Sequence, residues 1–210
     1  MPAIHAQNGS SQGNQVKPVT APRCHALLSH CLANQNAKVD EYALAPGPIR
    51  PFLDRLRAAG YRIQQMPCPE MTFLGANRWW QVREQYDTPG YRAHCRRLAD
   101  SVALLLKAAL GGGSDDLILL GVEGSGSSAI ALTGIGPRWG GRPEDIPWEP
   151  VKGAGVWIEE LQSVLARHGI PLPRAYGFPG ELPGFEMNAA LQDFDAFLAA
   201  KANPVCAMTT

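Results

Sequence analysis

The hydrophobic pattern of this chain alternates between short apolar runs, typical of buried strands, and longer amphipathic segments, typical of helices. The strand-like runs lie at His25–Leu32, Tyr61–Met66, Asp116–Val122 and Arg174–Phe178. The segments with apolar residues at helical spacing lie at Pro48–Gly60, Pro89–Leu110, Val156–His168 and Met187–Lys201. Strands that alternate with helices predict parallel pairing, right-handed crossovers and helices on both faces of the sheet. We therefore expect an α/β fold, a three-layer Rossmann-like domain with a mainly parallel sheet.

The length of 210 residues favours one α/β domain with extensions over two separate cores. Residues 1–22 are rich in Gln, Asn, Ser, Gly and Pro without periodicity, so we expect a disordered N-terminal tail there. The domain is predicted to span residues 23–203, followed by a C-terminal tail at 204–210. Residues 134–150, rich in Gly, Pro and Trp, are too long for a simple connection and are predicted to be a long loop or insertion.

Composition narrows the classes of partner. Basic and acidic residues both number 19, so the formal net charge is zero, which argues against binding to duplex nucleic acid or to an anionic membrane surface. The longest apolar runs are far shorter than the ~20 residues that span a bilayer. Five cysteines at irregular spacing argue against a secreted disulfide framework. We expect a soluble, cytoplasmic protein with free thiols.

Residues suited to chemistry lie where three predicted strands end. His30 and Cys31 follow the first strand, Cys68 and Glu70 the second, and the segment Glu123–Ser128 the third. Ligands of open parallel sheets bind outside the carboxyl ends of the strands, so we expect these residues to surround one cavity. Free thiols in such loops suit a soft metal or an iron–sulfur cluster. The alternative is that both cysteines are small buried apolar residues, since no Cys-x-x-Cys pair is present.

Five separated segments resemble a group of desulfidases related to 2-thiouracil desulfurase, and the resemblance covers about residues 24–133. The segments are Ser29–Asn36 (SHCLANQN), Met66–Gly75 (MPCPEMTFLG), Asn77–Trp80 (NRWW), Glu84–Gly90 (EQYDTPG) and His94–Arg96 (HCR). Members of the larger family hold a 4Fe-4S cluster with three cysteines, and its open iron takes sulfur from a thiolated nucleobase. The resemblance implies that Cys31 and Cys68 are two of these cluster ligands, and that the substrate is a small sulfur-containing molecule.

The third cluster ligand does not carry over. Family members usually have Gly-Ser-Pro-Ser-Cys-Gly after the third strand, whereas this chain has Gly124-Ser-Gly-Ser-Ser-Ala129, so Ser128 occupies the position of the last thiolate. A hydroxyl is much harder to deprotonate than a thiol, so the cluster is expected to be weaker or absent unless another group substitutes. Cys95 and Glu123 are candidate substitutes.

Two further residues are candidates for catalysis. Glu70 directly follows a cysteine loop and could accept a proton from an attacking water, or it could be a solvated loop carboxylate. Ser125, together with Ser127, could orient substrate at a helix N-terminus, although turn formation is the commoner use of such serines.

Other polar and aromatic residues near these motifs leave alternatives open. Residues 34–36 could order the first cysteine loop or contact a heterocycle. Trp79 and Trp80 could form a stacking wall or pack in the core. A group of arginines could form a salt-bridged face or a phosphate site, namely Arg78, Arg83, Arg92, Arg96 and Arg97.

Two other function classes remain open. The segment Gly124-x-Gly126-x-x-Ala129 after a strand matches a relaxed dinucleotide-binding fingerprint, which would make the chain a nucleotide-binding α/β protein. The fingerprint lies on the third strand rather than the first, and the region beyond Gly134 does not resemble the next strand with its ribose-binding acid. The loss of one cluster ligand also fits a non-catalytic protein that binds a small molecule or a metal on the same fold.

Overall fold

The computed structural model describes residues 24–39, 42–111, 113–136 and 148–200. Both predicted tails, and residues 137–147 of the predicted loop, lie outside these ranges. The strands are β1 (Cys24–Leu28), β2 (Tyr61–Gln65), β3 (Asp116–Val122), β4 (Leu132–Ile135), β5 (Glu149–Lys152) and β6 (Arg174–Phe178). The helices are α1 (His30–Ala33), α2 (Arg50–Ala58), α3 (Pro69–Leu74), α4 (Arg83–Tyr86), α5 (Pro89–Leu110), α6 (Val156–Arg167) and α7 (Met187–Ala199), and a 3-10 turn spans Gln35–Ala37.

The central sheet has four parallel strands in the order β2-β1-β3-β6. The chain moves from β1 to β2 on one side and then places β3 on the other side of β1. The strand order therefore reverses between β1 and β3, where ligands bind in open α/β sheets. The predicted α/β fold with a parallel sheet is confirmed.

Alternating residues of the strands build a separate core on each face of this sheet. Ala26 and Leu28 of β1 pack with α2 and α7 on one face, whereas Leu27 packs with α5 and α6 on the other. This alternation follows from the two-residue period of a strand. Helices on both faces complete the predicted three layers.

The longest helix begins where its sequence predicts. The Oγ1 of Thr88 accepts a hydrogen bond from the backbone N–H of Tyr91 at 3.3 Å, and Pro89 occupies the first helical position, where no N–H is needed. The cap fixes the start of α5, which contacts the helix α3 that follows Cys68.

Two local features differ from the prediction. The first strand, whose end is predicted near His30 and Cys31, ends at Leu28. Side-chain and backbone hydrogen bonds close a turn there: the Nε2 of Gln35 donates to the Cys31 carbonyl, and the Asn34 N–H donates to the His30 carbonyl at 2.9 Å. Residues 71–87, for which no element is predicted, contain part of α3 and all of α4.

The two described ends of the predicted loop or insertion at 134–150 belong to β4 and β5, which form an antiparallel pair with Ile135 opposite Glu149. The strands are short, and each depends on its partner for hydrogen bonds, so the local sequence pattern gives little sign of them. As a consequence β3 leads into a strand pair, not into a helix.

Candidate functional site

One pocket lies at the carboxyl ends of the parallel strands. The loop after each of the four strands contributes to its lining, with Cys31 after β1, Cys68 after β2, Ser128 after β3 and Glu181 after β6. The prediction that Cys31, Cys68 and Ser128 line one cavity is confirmed, because parallel pairing brings the ends of neighbouring strands to the same edge. Glu70 and Ser125 also line this pocket.

The Cys31 loop is held by Gln35. Its side chain donates to the Cys31 carbonyl and accepts a hydrogen bond from the Leu44 N–H at 2.9 Å. Gln35 is buried, so of the two alternatives for residues 34–36 the structure supports the ordering of the cysteine loop for this residue. Burial raises the pKa of the Cys31 thiol to about 12, and the nearby Lys38 ammonium opposes this shift.

Cys68 caps the short helix α3. Its Sγ accepts a hydrogen bond from the Met71 N–H at 3.4 Å, and its carbonyl accepts one from Thr72 Oγ1 at 2.8 Å. Burial raises the pKa of the Cys68 thiol. Both pocket cysteines are therefore neutral thiols near pH 7, and a metal that binds here has to displace their protons.

The Gly/Ser loop after β3 is stabilised by its own serines. Ser125 Oγ accepts hydrogen bonds from the N–H groups of Ser128 at 3.0 Å and Ser127 at 3.3 Å. This is turn chemistry, as in the commoner alternative for these residues. The N-terminus of α6 does lie at this loop, and its Val156 and Trp157 N–H groups donate to the carbonyls of Gly126 and Ser127 at 3.2 and 3.0 Å. The dinucleotide fingerprint lacks the helix that it requires directly after the loop, because β4 follows in the sequence.

The Glu123 side chain is hydrogen-bonded to the backbone that follows this loop. Its carboxylate accepts hydrogen bonds from the N–H groups of Ala131 at 3.1 Å and Leu132 at 2.6 Å. The close approach of β6 at Gly177, where a Cβ would collide with this carboxylate, fixes its position. The proposal that Glu123 completes a ligand shell is therefore corrected to a structural role.

Cys95 is also not a substitute ligand. It lies in α5 with no exposed surface and packs in the core between α5, α6 and the sheet. Burial raises the pKa of its thiol to about 12. Cys95 lies on the apolar face of α5, which packs into the core. It is therefore a small buried apolar residue, the usual role of a free cysteine.

Glu70 forms an ion pair with Arg78 at the pocket wall. The distance from Arg78 Nη2 to Glu70 Oε2 is 3.2 Å, and only 18% of the Glu70 side chain and 6% of the Arg78 side chain are exposed. Arg78 also donates to the Ala37 carbonyl at 2.8 Å, and burial together with the nearby Glu70 carboxylate raises the pKa of the Tyr86 hydroxyl. Glu70 is thus neither a freely solvated loop residue nor an isolated carboxylate.

A second buried ion pair joins Lys38 to Glu181, and both residues line the pocket. Burial alone would lower the pKa of the Lys38 ammonium, but the Glu181 carboxylate, together with Cys31 and Glu70, raises it above its usual value. The pocket therefore contains a positive charge close to Cys31, balanced by a carboxylate from the loop after β6.

The two predicted tryptophans have different environments. Trp79 is 54% exposed, whereas Trp80 lines the pocket and contacts Tyr42 edge-on, with ring centroids 6.3 Å apart. Trp148, from the start of the β5 segment, lies 6.5 Å from Trp80 and lines the same pocket. The wall for a flat ligand is thus built from Trp80 with two rings that sequence analysis did not select.

Four of the arginines divide between two sites. Arg83, Arg92 and Arg96 pair with Asp87, Glu159 and Glu160 in a network that links α4, α5 and α6. The alternative of a salt-bridged face is thus the one that the structure supports for them. Arg78 separates from this group and enters the pocket.

The sequence analysis missed Lys38, Glu181, Tyr42 and Trp148. Glu181 could have been found, because the rule that was applied to the ends of three strands applies equally to the fourth. Tyr42 and Trp148 carry no local signal, since only the tertiary fold places them beside Trp80.

The donor set for a metal or cluster is limited. Across the ranges that the structure describes, no group of three or more His, Cys, Asp or Glu side chains is placed to hold a metal ion. The pocket wall carries two thiols, Cys31 and Cys68, and the hydroxyl of Ser128 at the position of the third thiolate. His30 and Glu70 line the same pocket and are further side chains with donor atoms for iron.

The fold and the pocket define an α/β protein with a ligand pocket at the switch point of a parallel sheet. No helix in the described parts of the chain is long and apolar enough to cross a membrane. The chain is 34% identical over 100 residues to the uncharacterized protein MJ0003 of Methanocaldococcus jannaschii. The match covers 48% of this chain and 64% of that protein's length. No family model matches the chain, and no solved structure matches it.

Proposed function

We propose that this chain is a desulfidase, which removes sulfur from a small thiocarbonyl or thiolated nucleobase-like compound with the help of an iron–sulfur cluster. The observation that supports this most directly is that Cys31, Cys68 and Ser128 line one pocket. The three residues stand at the cluster-ligand positions of the desulfidases that the sequence resembles. In the overall reaction a water oxygen replaces the sulfur on carbon, and the sulfur leaves as hydrogen sulfide.

The thiolates of Cys31 and Cys68 and the oxygen of Ser128 would hold a 4Fe-4S cluster. When bound, the cluster supplies an open iron that takes up sulfur. Lys38 supports this arrangement, because its ammonium favours the thiolate of Cys31 against the effect of burial. Gln35 and Thr72 keep the two cysteine loops in place through their hydrogen bonds to backbone carbonyls.

Glu70 and Ser125 are the proposed catalytic residues. Glu70 accepts a proton from the water that attacks the thiocarbonyl carbon, and Arg78 keeps its carboxylate at the pocket wall. Ser125 accepts two backbone hydrogen bonds, which leaves its hydroxyl proton to orient the substrate.

The pocket, the net charge and the thiols support a proposal for the partner and the location of the protein. The proposed substrate is a small sulfur-containing molecule, as the resemblance to the desulfidases implies, and loops from all four parallel strands bound the pocket that would hold it. Zero net charge argues against duplex nucleic acid and membrane surfaces as partners. A cytoplasmic location would keep the pocket thiols reduced.

Anaerobic reconstitution of the wild type and of Ser128→Cys tests the proposal. We expect the variant to hold several-fold more iron and sulfide per chain and to turn over a thiolated pyrimidine faster, because a thiolate is a softer and more readily ionised ligand than serine. A matched Ser114→Cys variant, at the start of the β3 segment, should leave both measurements unchanged. Iron content that is the same in Ser128→Cys and the wild type would contradict the role of position 128.

A second candidate function is binding without catalysis. The observation that favours it is the donor set, which contains two thiols where the related desulfidases have three. In that case the wild type would acquire no iron and release no sulfide, even if Ser128→Cys gains iron, while the pocket would still bind a small flat molecule. Iron analysis and a binding titration on the same samples distinguish the two functions.

A further inference from the structure

The pocket contains a buried hydroxyl that stabilises nothing in the described part of the chain. Ser29 is 3% exposed, and its Oγ has no hydrogen-bond partner among the described residues. The residue follows β1 directly and lines the pocket. Leaving a buried polar group without a partner costs about 1–3 kcal/mol. A ligand in the pocket is the partner that this hydroxyl lacks.

Within the described ranges, the pair Lys38–Glu181 also leaves hydrogen-bonding groups unused. Only 8% of the Lys38 side chain and 15% of the Glu181 side chain are exposed. Their hydrogen bond to each other uses one of three ammonium donors and one carboxylate oxygen. Buried ion pairs contribute little to stability, so the fold alone does not explain this one. Arg78, in contrast, donates to the carbonyls of Ala37 and Gly75 and thereby holds two loops.

Aromatic rings border these polar groups. The Lys38 ammonium lies 5.8 Å from the centre of the Tyr42 ring, which in turn contacts Trp80. At Gly124 an added Cβ would lie 3.2 Å from Glu181 and 3.3 Å from Trp148, so glycine permits both side chains to approach the loop. The combination of flat apolar rings with adjacent donor and acceptor groups suits a planar heterocycle.

We propose that Lys38, Glu181 and Ser29 form a recognition face for the amide edge of such a ring. Glu181 accepts the ring N–H, Lys38 donates to the neighbouring carbonyl oxygen, and Ser29 donates a further hydrogen bond to the ring. The inference rests on the proposed function for its orientation, since the carbon that loses sulfur has to face Cys31 and Cys68. The next N–H and C=O along the ring are then the edge presented to the recognition face.

Binding of uracil and its two N-methyl derivatives to the full chain tests this assignment by calorimetry. In 3-methyluracil the N–H beside the C4 carbonyl is lost, whereas 1-methyluracil keeps it. We expect the wild type to bind 3-methyluracil about 10- to 100-fold more weakly than 1-methyluracil, the loss typical of a hydrogen bond to a charged group. Ser29→Ala should weaken uracil binding about 3- to 10-fold without lowering the thermal midpoint.

The double variant K38M/E181L separates recognition from folding. Apolar replacement of a buried ion pair is often neutral for stability, so we expect a wild-type thermal midpoint and equal affinity for the two methyluracils. Glu181→Gln keeps a neutral hydrogen-bond acceptor, so it should only partly reduce the preference for 1-methyluracil over 3-methyluracil. If the double variant does not fold, the affinity ratio of Glu181→Gln tests the recognition face in its place. Glu149→Gln, an exposed control, should retain it fully.

Discrimination that persists in both Glu181 variants would overturn the inference, as would a wild type that binds none of the three pyrimidines. A drop in the thermal midpoint of K38M/E181L without a change in discrimination would assign the pair to folding. None of these results depends on turnover. Failure of the proposed function appears instead as absence of iron and of sulfide release, and it leaves the binding ratio unaffected.

Discussion

At the scale of single residues, the pocket separates side chains that hold loops from side chains that are available to a ligand. Backbone carbonyls accept hydrogen bonds from the side chains of Gln35, Thr72 and Arg78. The buried Ser29 hydroxyl has no hydrogen-bond partner among the described residues, and the buried Lys38 ammonium pairs with the Glu181 carboxylate rather than with a backbone carbonyl. Since unpaired buried polar atoms are rare in native proteins, the Ser29 hydroxyl is the better indicator of where a ligand lies.

Replacement of Glu70 by Gln tests its proposed role in proton transfer. We expect turnover of the reconstituted enzyme to fall by roughly 10²–10⁴, with unchanged iron content, because the amide cannot accept the proton of the attacking water. The amide oxygen still accepts a hydrogen bond from Arg78, which preserves the loop. Unchanged turnover would show that Glu70 only pairs with Arg78, and joint loss of iron and turnover would make it a structural residue.

His25 in β1 provides a test by pH. Burial and the charge of Arg62 lower the pKa of His25 in the folded protein below its usual value of 6.5. Below pH 6.5 the unfolded chain then binds more protons than the folded one, so the stability present above that pH is lost as the pH falls through the folded pKa. In His25→Leu the free energy of unfolding should fall less steeply between pH 7.5 and 5.5. Urea denaturation at each pH measures the slope, and an unaltered slope would contradict the prediction.

At the scale of elements, charged side chains bind the short helix α4 to the longer helices α5 and α6. Arg92 contacts Asp87, Glu159 and Glu160 at 2.5–2.9 Å. Gly126 of the pocket loop packs against the backbone of Arg83, where an added Cβ would lie 2.5 Å away. The network therefore supports the loop that carries Ser128.

Arg92→Lys should lower the free energy of unfolding by about 1–2 kcal/mol, because a lysine cannot reproduce the forked contacts of a guanidinium with two helices. Arg97→Lys, on the same helix and outside the network, should change stability by less than about 0.5 kcal/mol. Urea denaturation measures both. Equal stability of the two variants would show that the network is only a solvated surface feature.

At the scale of the whole molecule, the carboxyl and amino ends of the parallel strands have different roles. Loops at the carboxyl edge form the pocket, whereas Asp116, at the start of β3, accepts hydrogen bonds from Tyr61 of β2 and Arg174 of β6. The Asp116 side chain is 3% exposed, and its distance to Arg174 Nη2 is 2.6 Å. This buried cluster joins three of the four strands at the amino edge.

Asp116→Asn should therefore destabilise the fold and spare the pocket. We expect a loss of about 2–4 kcal/mol in the free energy of unfolding, the range for a broken buried ion pair. The seven residues of β3 separate the two edges by about 20 Å, so iron content and uracil affinity should stay constant. Asp195→Asn, in an exposed pair with Arg55, is the control and should lose less than about 1 kcal/mol. Loss of uracil binding in folded Asp116→Asn would contradict the separation of the two edges.

The sequence by itself determined the four strands of the central sheet, the main helices and three of the four strand ends that line the pocket. These features are local, because the period of apolar residues and the capping residue Thr88 act within a few positions of the chain. The position of Cys31, Cys68 and Ser128 at one edge follows from parallel pairing, which alternation of strands and helices already predicts.

Only the tertiary structure decided which polar residues remain available at the pocket. By residue type alone, Cys95 and Glu123 are as suitable for a site as Cys31 and Glu70. In the structure Cys95 packs in the core, and the Glu123 carboxylate accepts hydrogen bonds from the loop backbone. Lys38 meets Glu181 across 143 positions of the chain. Burial and hydrogen-bond partners depend on contacts between distant segments, and a local sequence pattern does not contain that information.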